Sequence, residues 1–185
     1  MTTAMTGKRV LVTGACKSGL HAAQMLASQG ALVILTDRNH RRAAREARKM
    51  GITALRADLS CPSGVDGLAR EMELMGGCDA LIHIGQGSAS ELLTDDDHRA
   101  VWEADFLSAI RTARAMVPQM VRAGWGRVVF VTSDLPASAP HDALISFTRG
   151  VKVPYALKGV HFNALSPRQV APLLRFLCED HGTVH

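Results

Sequence analysis

The stretch VLVTGACKSGLH, Val10 to His21, decides how the whole chain is read. An apolar run, Val10-Leu-Val-Thr, leads straight into Gly14. A strand, a glycine turn and then a helix bring backbone amides and a helix N-terminus up to a pyrophosphate. Such a turn ordinarily carries three glycines. Here Gly14 and Gly19 are present, while Lys17 and Ser18 stand where a middle glycine would let the backbone approach the phosphates. Two readings of the glycine pair stand at this point. Either it contacts a phosphate, or it only permits a tight turn and close helix–strand packing. Lys17 has two readings as well: a point charge for a phosphate, or a side chain that fills the phosphate's place.

Outward from that turn, apolar runs alternate with helical stretches. Strands are expected at Val10–Thr13, Ala31–Thr36, Thr53–Ala57, Ala80–Ile84, Arg127–Thr132 and Val160–Leu165. Helices are expected at Leu20–Gln29, Arg41–Met50, Val65–Met75, Asp95–Ala123, Ala143–Arg149 and Pro167–Glu179. Several are closed by a glycine: Gly30, Gly51, Gly76 and Gly124. The second strand is apolar throughout, as a strand covered on both faces must be. Strand–helix alternation predicts an α/β fold, a doubly wound parallel sheet of about six strands. There is no internal repeat and no linker, so residues 1–185 read as one domain.

Composition narrows the function classes. The chain is 47% hydrophobic and 21% charged, within the soluble globular range. No apolar run approaches the roughly 20 residues of a membrane helix, and residues 1–7 do not form a signal peptide. The net charge of +4 is scattered. Its densest patch, Arg38 to Lys49, has the spacing of a solvated helix face, so neither nucleic acid nor membrane is expected as a partner. Cys16, Cys61, Cys78 and Cys178 lie far apart without a CxxC pair, which suits reduced thiols in a cytoplasmic protein. His21, His83 and His141 could converge near the cleft, and His181 and His185 lie four apart near the end. None has metal-ligand spacing, and no metal is expected.

The motifs, taken in order, resemble the short-chain dehydrogenase/reductase family over nearly the whole chain. GKRVLVTGA resembles that family's first strand and turn. GALVILTDR resembles its second strand with a terminal acid, and ITALRADLS the third strand, where an Asp meets the adenine. MGGCDALIHIGQG resembles the segment that normally reads Asp-x-Leu-Val-Asn-Asn-Ala-Gly, and GRVVFVTS the fifth strand ending in the catalytic serine. LISFTRG and KGVHFNALSP resemble the helix and strand that follow. The implied fold is Rossmann-like. It is truncated at its C-terminal end relative to the family, because Pro167 runs directly into the last helix and the chain stops at His185.

The resemblance also implies a site, and most of its positions have changed. The family uses a Tyr acid/base, a Lys four residues later, a Ser and an Asn. Ser133 falls on the serine and Asp105 on the asparagine. Aligning LISFTR with its family counterpart puts Ala137 at the tyrosine and His141 at the lysine. The chain's single tyrosine, Tyr155, is followed by Lys158 three residues on and lies between the expected short helix and the sixth strand. A general acid must reach its proton within hydrogen-bond distance, and Ala137 has none to give. Ser133 is therefore the one retained member, and no catalytic set is expected. Gly14, Gly19, Asp37 and Asp58 remain as vestigial cofactor contacts. Asp37 either holds ribose hydroxyls or is a solvated strand-end acid. His83-Ile84-Gly85-Gln86 replaces the Asn-Asn-Ala-Gly turn.

The expectation is a non-catalytic subunit that binds no cofactor tightly. It would pair with a catalytically intact paralogue that holds NAD(P), in an alcohol dehydrogenase or ketoreductase acting on acyl-CoA or carrier-bound intermediates. The expected contact is through the Asp95–Ala123 and Ala143–Arg149 helices, which form the subunit interface in the family. Val101, Phe106, Ile110, Ala113 and Val117 mark its apolar positions, with Trp102 and Leu107 adjoining. An enzyme with non-redox chemistry in the old cleft and a nucleotide-sensing module remain the alternatives.

Overall fold

The computed structural model describes residues 5–85, 94–132, 139–166 and Leu177. Ser133, Ala137, His181, His185 and all of the expected Pro167–Glu179 helix except Leu177 lie outside them. Six strands form one parallel sheet: β1 Arg9–Thr13, β2 Leu32–Asp37, β3 Thr53–Arg56, β4 Ala80–Ile84, β5 Gly126–Val131 and β6 Val160–Leu165. Their order is β3-β2-β1-β4-β5-β6, so the winding reverses between β1 and β4. The connecting helices are α1 Lys17–Ser28, α2 His40–Met50, α3 Pro62–Leu74, α4 Asp95–Trp102, α5 Ser108–Ala123 and α6 Ala139–Ala156.

Both sheet faces are covered, which is why the strands read as near-continuous apolar runs. Val10, Val12, Val33, Leu35 and Ile82 pack into one cluster with Ala22 and Leu26 of α1 and Ala43 of α2. Leu11, Ile34, Leu81, Val128 and Phe130 pack into the other with α3, α5 and α6. Each such side chain contributes about 1.5–3 kcal/mol on leaving water. Leu177 adds to the first cluster.

Local signals set the helix ends. Gly51 and Gly124 close α2 and α5 in the left-handed conformation, at φ 67° and 66°. Thr94 and Asp97 form a reciprocal capping box that starts α4.

Two helix expectations need correction. The stretch Asp95–Ala123 is not one regular α-helix, because a π-helical turn, Glu103–Leu107, joins α4 to α5. The short helix expected at Ala143–Arg149 runs from Ala139 to Ala156, straight through Gly150 and Pro154. Leu144, Phe147, Val151 and Tyr155 form a stripe at helical spacing that packs on the sheet. The burial of that stripe outweighs the roughly 3 kcal/mol that an interior proline costs.

Candidate functional site

The site lies at the C-terminal ends of β1, β2 and β4, beside the β1/β4 reversal, where open parallel sheets bind ligands. There a cleft of about 500 Å³ opens over the α3/α5 face of the sheet. Its floor is a polar row: Thr36 of β2, Thr13 of β1 and His83 of β4 stand in register across three neighbouring strands. Asp37, Asp58, Ser60 and Asp97 rim it, and Ala100, Val101, Ala104 and Ser108 wall it. A second hollow of about 240 Å³ shares Gly14, Asp37, Arg38 and Ile84 with the cleft and adds Cys16 and Arg42.

The two glycines of the opening turn are now distinguishable. Gly14 has φ 90° and donates its N–H to the Thr36 carbonyl at 2.7 Å, so it makes the turn. A Cβ on Gly19 would stand 2.0 Å from the Gly14 carbonyl oxygen. Gly19 is therefore needed for the approach of α1 to the turn, which is the packing reading. Lys17 is exposed and lines neither hollow.

Asp37 is more than a solvated strand end. One carboxylate oxygen accepts the Ala15 N–H at 2.6 Å and the other the Asn39 N–H at 2.7 Å. The acid thus clamps the glycine turn to the start of α2 while still facing the cleft. Asp58 accepts both the hydroxyl and the backbone N–H of Ser60, which, helped by the charge of Arg38, hold its carboxyl below the usual range.

For the family's dinucleotide, these residues fit one end better than the other. Asp37 and Asp58 suit ribose hydroxyls and an exocyclic amine. At the phosphate end, the Ala15 amide is already bonded to Asp37, and the Leu20 amide to the Cys16 carbonyl at 2.9 Å. A pyrophosphate thus lacks those two donors and would be left with the uncapped first-turn amides of α1.

His83 is the most constrained polar side chain in the cleft. It is 3% exposed, and burial alone pushes its pKa down to about 4, so the ring is neutral. Ser108 donates its one hydroxyl proton to the Ala104 carbonyl at 2.6 Å, so it can only accept from His83 Nε2, 3.3 Å away. Nδ1 is then the acceptor and takes the Thr13 hydroxyl proton at 3.1 Å, while Thr13 Oγ1 accepts the Ile84 N–H. Every proton in this chain has one assignment.

The other sequence candidates do not converge. Tyr155 sits in the last turn of α6, which extends beyond the short helix expected before it. Its ring lies 5.3 Å from that of Phe162, and Lys158 Nζ sits 5.2 Å from its centroid. Phe162 pairs with Val128, two residues down β5 from the partner of His83, and neither Tyr155 nor Lys158 lines either hollow. His21 and His141 line neither hollow. Asp105 is buried on the π turn near Gly85. Among the described residues no group of three His, Cys, Asp or Glu side chains could hold a metal. Sequence reading missed Thr13 and Ser108 as partners of His83. The strand period exposes the Thr13–His83 row, but only the packing of α5 brings Ser108 to it.

The apolar face expected to meet a partner also needs correction. Ala113 and Val117 are buried against their own sheet, and Val101 faces the cleft. Trp102 and Leu107 point outward, at 37% and 40% exposure, with Phe106 and Ile110 half-buried between them and the core.

Comparison with known proteins gives a consistent picture. The family model for short chain dehydrogenase matches residues 8–175. The D-beta-hydroxybutyrate dehydrogenase of Cupriavidus necator is 30% identical, over 92% of this chain and 74% of its own length. The uncharacterized oxidoreductase Rv0484c of Mycobacterium tuberculosis is 33% identical, over 72% of this chain but 54% of its own length. Among solved structures, a short chain dehydrogenase from Mycobacterium smegmatis superposes with a TM-score of 0.82 at 24% identity, covering 96% of this chain and 88% of that one. A ribose-5-phosphate isomerase from Brucella melitensis 16M superposes with a TM-score of 0.83 at 22% identity, covering 97% and 88%. At such identities the likeness is one of fold alone.

Proposed function

We propose a function from one premise: this chain belongs to the short-chain dehydrogenase family of oxidoreductases. On that premise, it is a non-catalytic family member that serves as a structural subunit for a catalytically intact paralogue. The observation that carries this reading is the place of its single tyrosine. Tyr155 packs on Phe162, away from the cleft, and nothing else in the chain supplies the family's phenol. General acid/base catalysis is worth about 10²–10⁴-fold and needs the proton within reach.

The paralogue holds NAD(P) and does the hydride chemistry, on acyl-CoA or carrier-bound hydroxy or keto intermediates. This chain contributes the outward side of the α4–α5 helix and the neighbouring α6. The exposed Trp102 and Leu107 support that role, since large apolar side chains are what an interface core covers. The chain's own cleft keeps Asp37 and Asp58 but has the Ala15 amide tied to Asp37, so in this reading it holds no dinucleotide tightly. No helix among the described residues is long and apolar enough to cross a membrane. A cytoplasmic setting is part of the proposal.

The test compares the purified chain with the chain co-expressed beside an intact homologue. Hydride transfer to or from NAD(P) is followed with secondary alcohols and ketones. The expected result is no turnover alone and a stable, active complex together. Turnover by the pure chain at ordinary family rates overturns the reading.

A further inference from the structure

The helix that walls the cleft is the helix that carries the outward apolar face, and one buried histidine ties it to the sheet. Ala100, Val101, Ala104 and Ser108 line the cleft, while Trp102 and Leu107 point away from it. Between α4 and α5 the backbone widens into the Glu103–Leu107 π turn. Such turns are rare and interrupt the regular i→i−4 bonding, so a side-chain bond to one of their carbonyls adds support. Here the support comes from beneath. The chain Thr13–His83–Ser108–Ala104 runs from the glycine turn, through β4, to a carbonyl one residue into the π turn. All three side chains are under 5% exposed, so each bond is made in a low-dielectric interior, where losing one strands a polar partner.

A second tie acts on the other flank. Arg111 of α5 is ion-paired with Glu103 and donates to the Ser60 carbonyl on the cleft rim at 3.1 Å. Trp102 stacks edge-on against Phe106 at 5.4 Å, across the start of the turn. The π turn therefore sits between a fixed polar floor and a pair of aromatic rings on its outer side.

We propose that His83 is a positioning residue for the outward face: acting from inside the cleft, it holds the π turn in the geometry that sets Trp102, Phe106 and Leu107. The single proton direction of the chain is what makes the hold specific. A protonated Nε2 leaves the Ser108 proton to the π-turn carbonyl, whereas a bare Nε2 would compete for it, and the Thr13 proton on Nδ1 favours the first state. A cleft occupant that takes the Thr13 or Ser108 hydroxyl loosens the same helix, which makes the cleft a point of control over the partner surface. The significance of that control rests on the pairing reading above, but the hold itself does not.

The experiment uses the chain alone. In a Trp125→Phe background, Trp102 is the single tryptophan, and its quenching by acrylamide reports the outward face. His83→Phe and Ser108→Ala should each raise that quenching and broaden the amide resonances of residues 103–107. Leu81→Ala, a core change on the same strand and face, should lower the melting temperature without moving Trp102. In the unmodified chain, nitrogen chemical shifts of His83 should show Nε2 protonated and Nδ1 bare at neutral pH. If His83→Phe does not fold, Ser108→Ala and the tautomer decide. A protonated Nδ1, or Trp102 quenching that stays unchanged in the folded variants, overturns the proposal. Neither readout involves a partner, so failure to pair with a homologue counts against the subunit reading and leaves this one standing.

Discussion

The ring of Tyr155 lies 5.3 Å from the ring of Phe162, tilted at 53°, with Lys158 over its face. The one phenol in the chain is thus a packing residue of α6 on β6, on the same side of the sheet as the cleft but below it along the strands.

Tyr155→Phe should therefore leave every catalytic measurement unchanged. It keeps the ring and the contact with Phe162, so stability should move by no more than about 1 kcal/mol. Parallel assays of the co-expressed complex and its Tyr155→Phe form, with thermal melts of each, check both statements. Loss of activity confined to the variant would contradict the placement of the ring.

Acid should weaken the fold through His83. Its folded pKa of about 4 lies below the ordinary 6.5 because burial disfavours the charged ring. Between those values the unfolded chain binds a proton that the folded chain refuses. The contribution is complete above about pH 6.5 and falls as pH drops toward 4. At 1.36 kcal/mol per pH unit it amounts to about 3 kcal/mol. Urea melts across that window should show the slope, and His83→Phe should flatten it.

Gly19→Ala should be severely destabilising, on the order of 3 kcal/mol, because its Cβ would stand 2.0 Å from backbone oxygen that cannot move aside. Gly67→Ala inside α3 meets nothing within 4 Å and should stabilise by about 0.5–1 kcal/mol. Chemical melts of the two variants, opposite in sign, test whether the glycine turn is a packing device.

Pairing should be most cleanly broken at Leu107. At 40% exposure its replacement by Asp should leave the monomer within about 0.5 kcal/mol of the parent while costing about 2 kcal/mol or more of association. Phe106→Asp and Ile110→Asp should disrupt the complex too, but those half-buried side chains touch the chain's own core and should also lower its melting temperature. Light scattering after co-purification with an intact homologue, beside melts of the isolated chains, separates the two effects. An undisturbed Leu107→Asp complex would move the contact elsewhere.

Calorimetry on the isolated chain should give NAD⁺ a dissociation constant weaker than about 1 μM, corresponding to less than about 8 kcal/mol. Adenosine should bind at least as well, since Ala15 and Leu20 offer a pyrophosphate no free amide. Asp37→Asn should weaken adenosine and also loosen the turn that Asp37 clamps. Micromolar or tighter NAD⁺ binding would contradict the reading of the phosphate end.

The alternation of apolar strands and amphipathic helices and Gly14 at the end of the first strand were legible in the amino-acid sequence. Those features are local: period, turn residues and the register of one motif against the next determine them. The strand order, with its reversal between β1 and β4, came from the structure.

Tertiary structure alone decided four other points. Helix α6 passes through Gly150 and Pro154 because Leu144, Phe147, Val151 and Tyr155 pack together on the sheet, an energy no propensity at two breaker residues contains. Gly19 serves packing because the Gly14 carbonyl lies against it. Asp37 turns inward because the Ala15 and Asn39 amides converge on it. His83 is neutral and singly oriented because it is buried and Thr13 and Ser108, 70 and 25 residues away along the chain, reach its two nitrogens. Contacts between residues so distant leave no periodic trace in sequence. They exist only once the sheet has brought its strand ends together and the helix has closed over them.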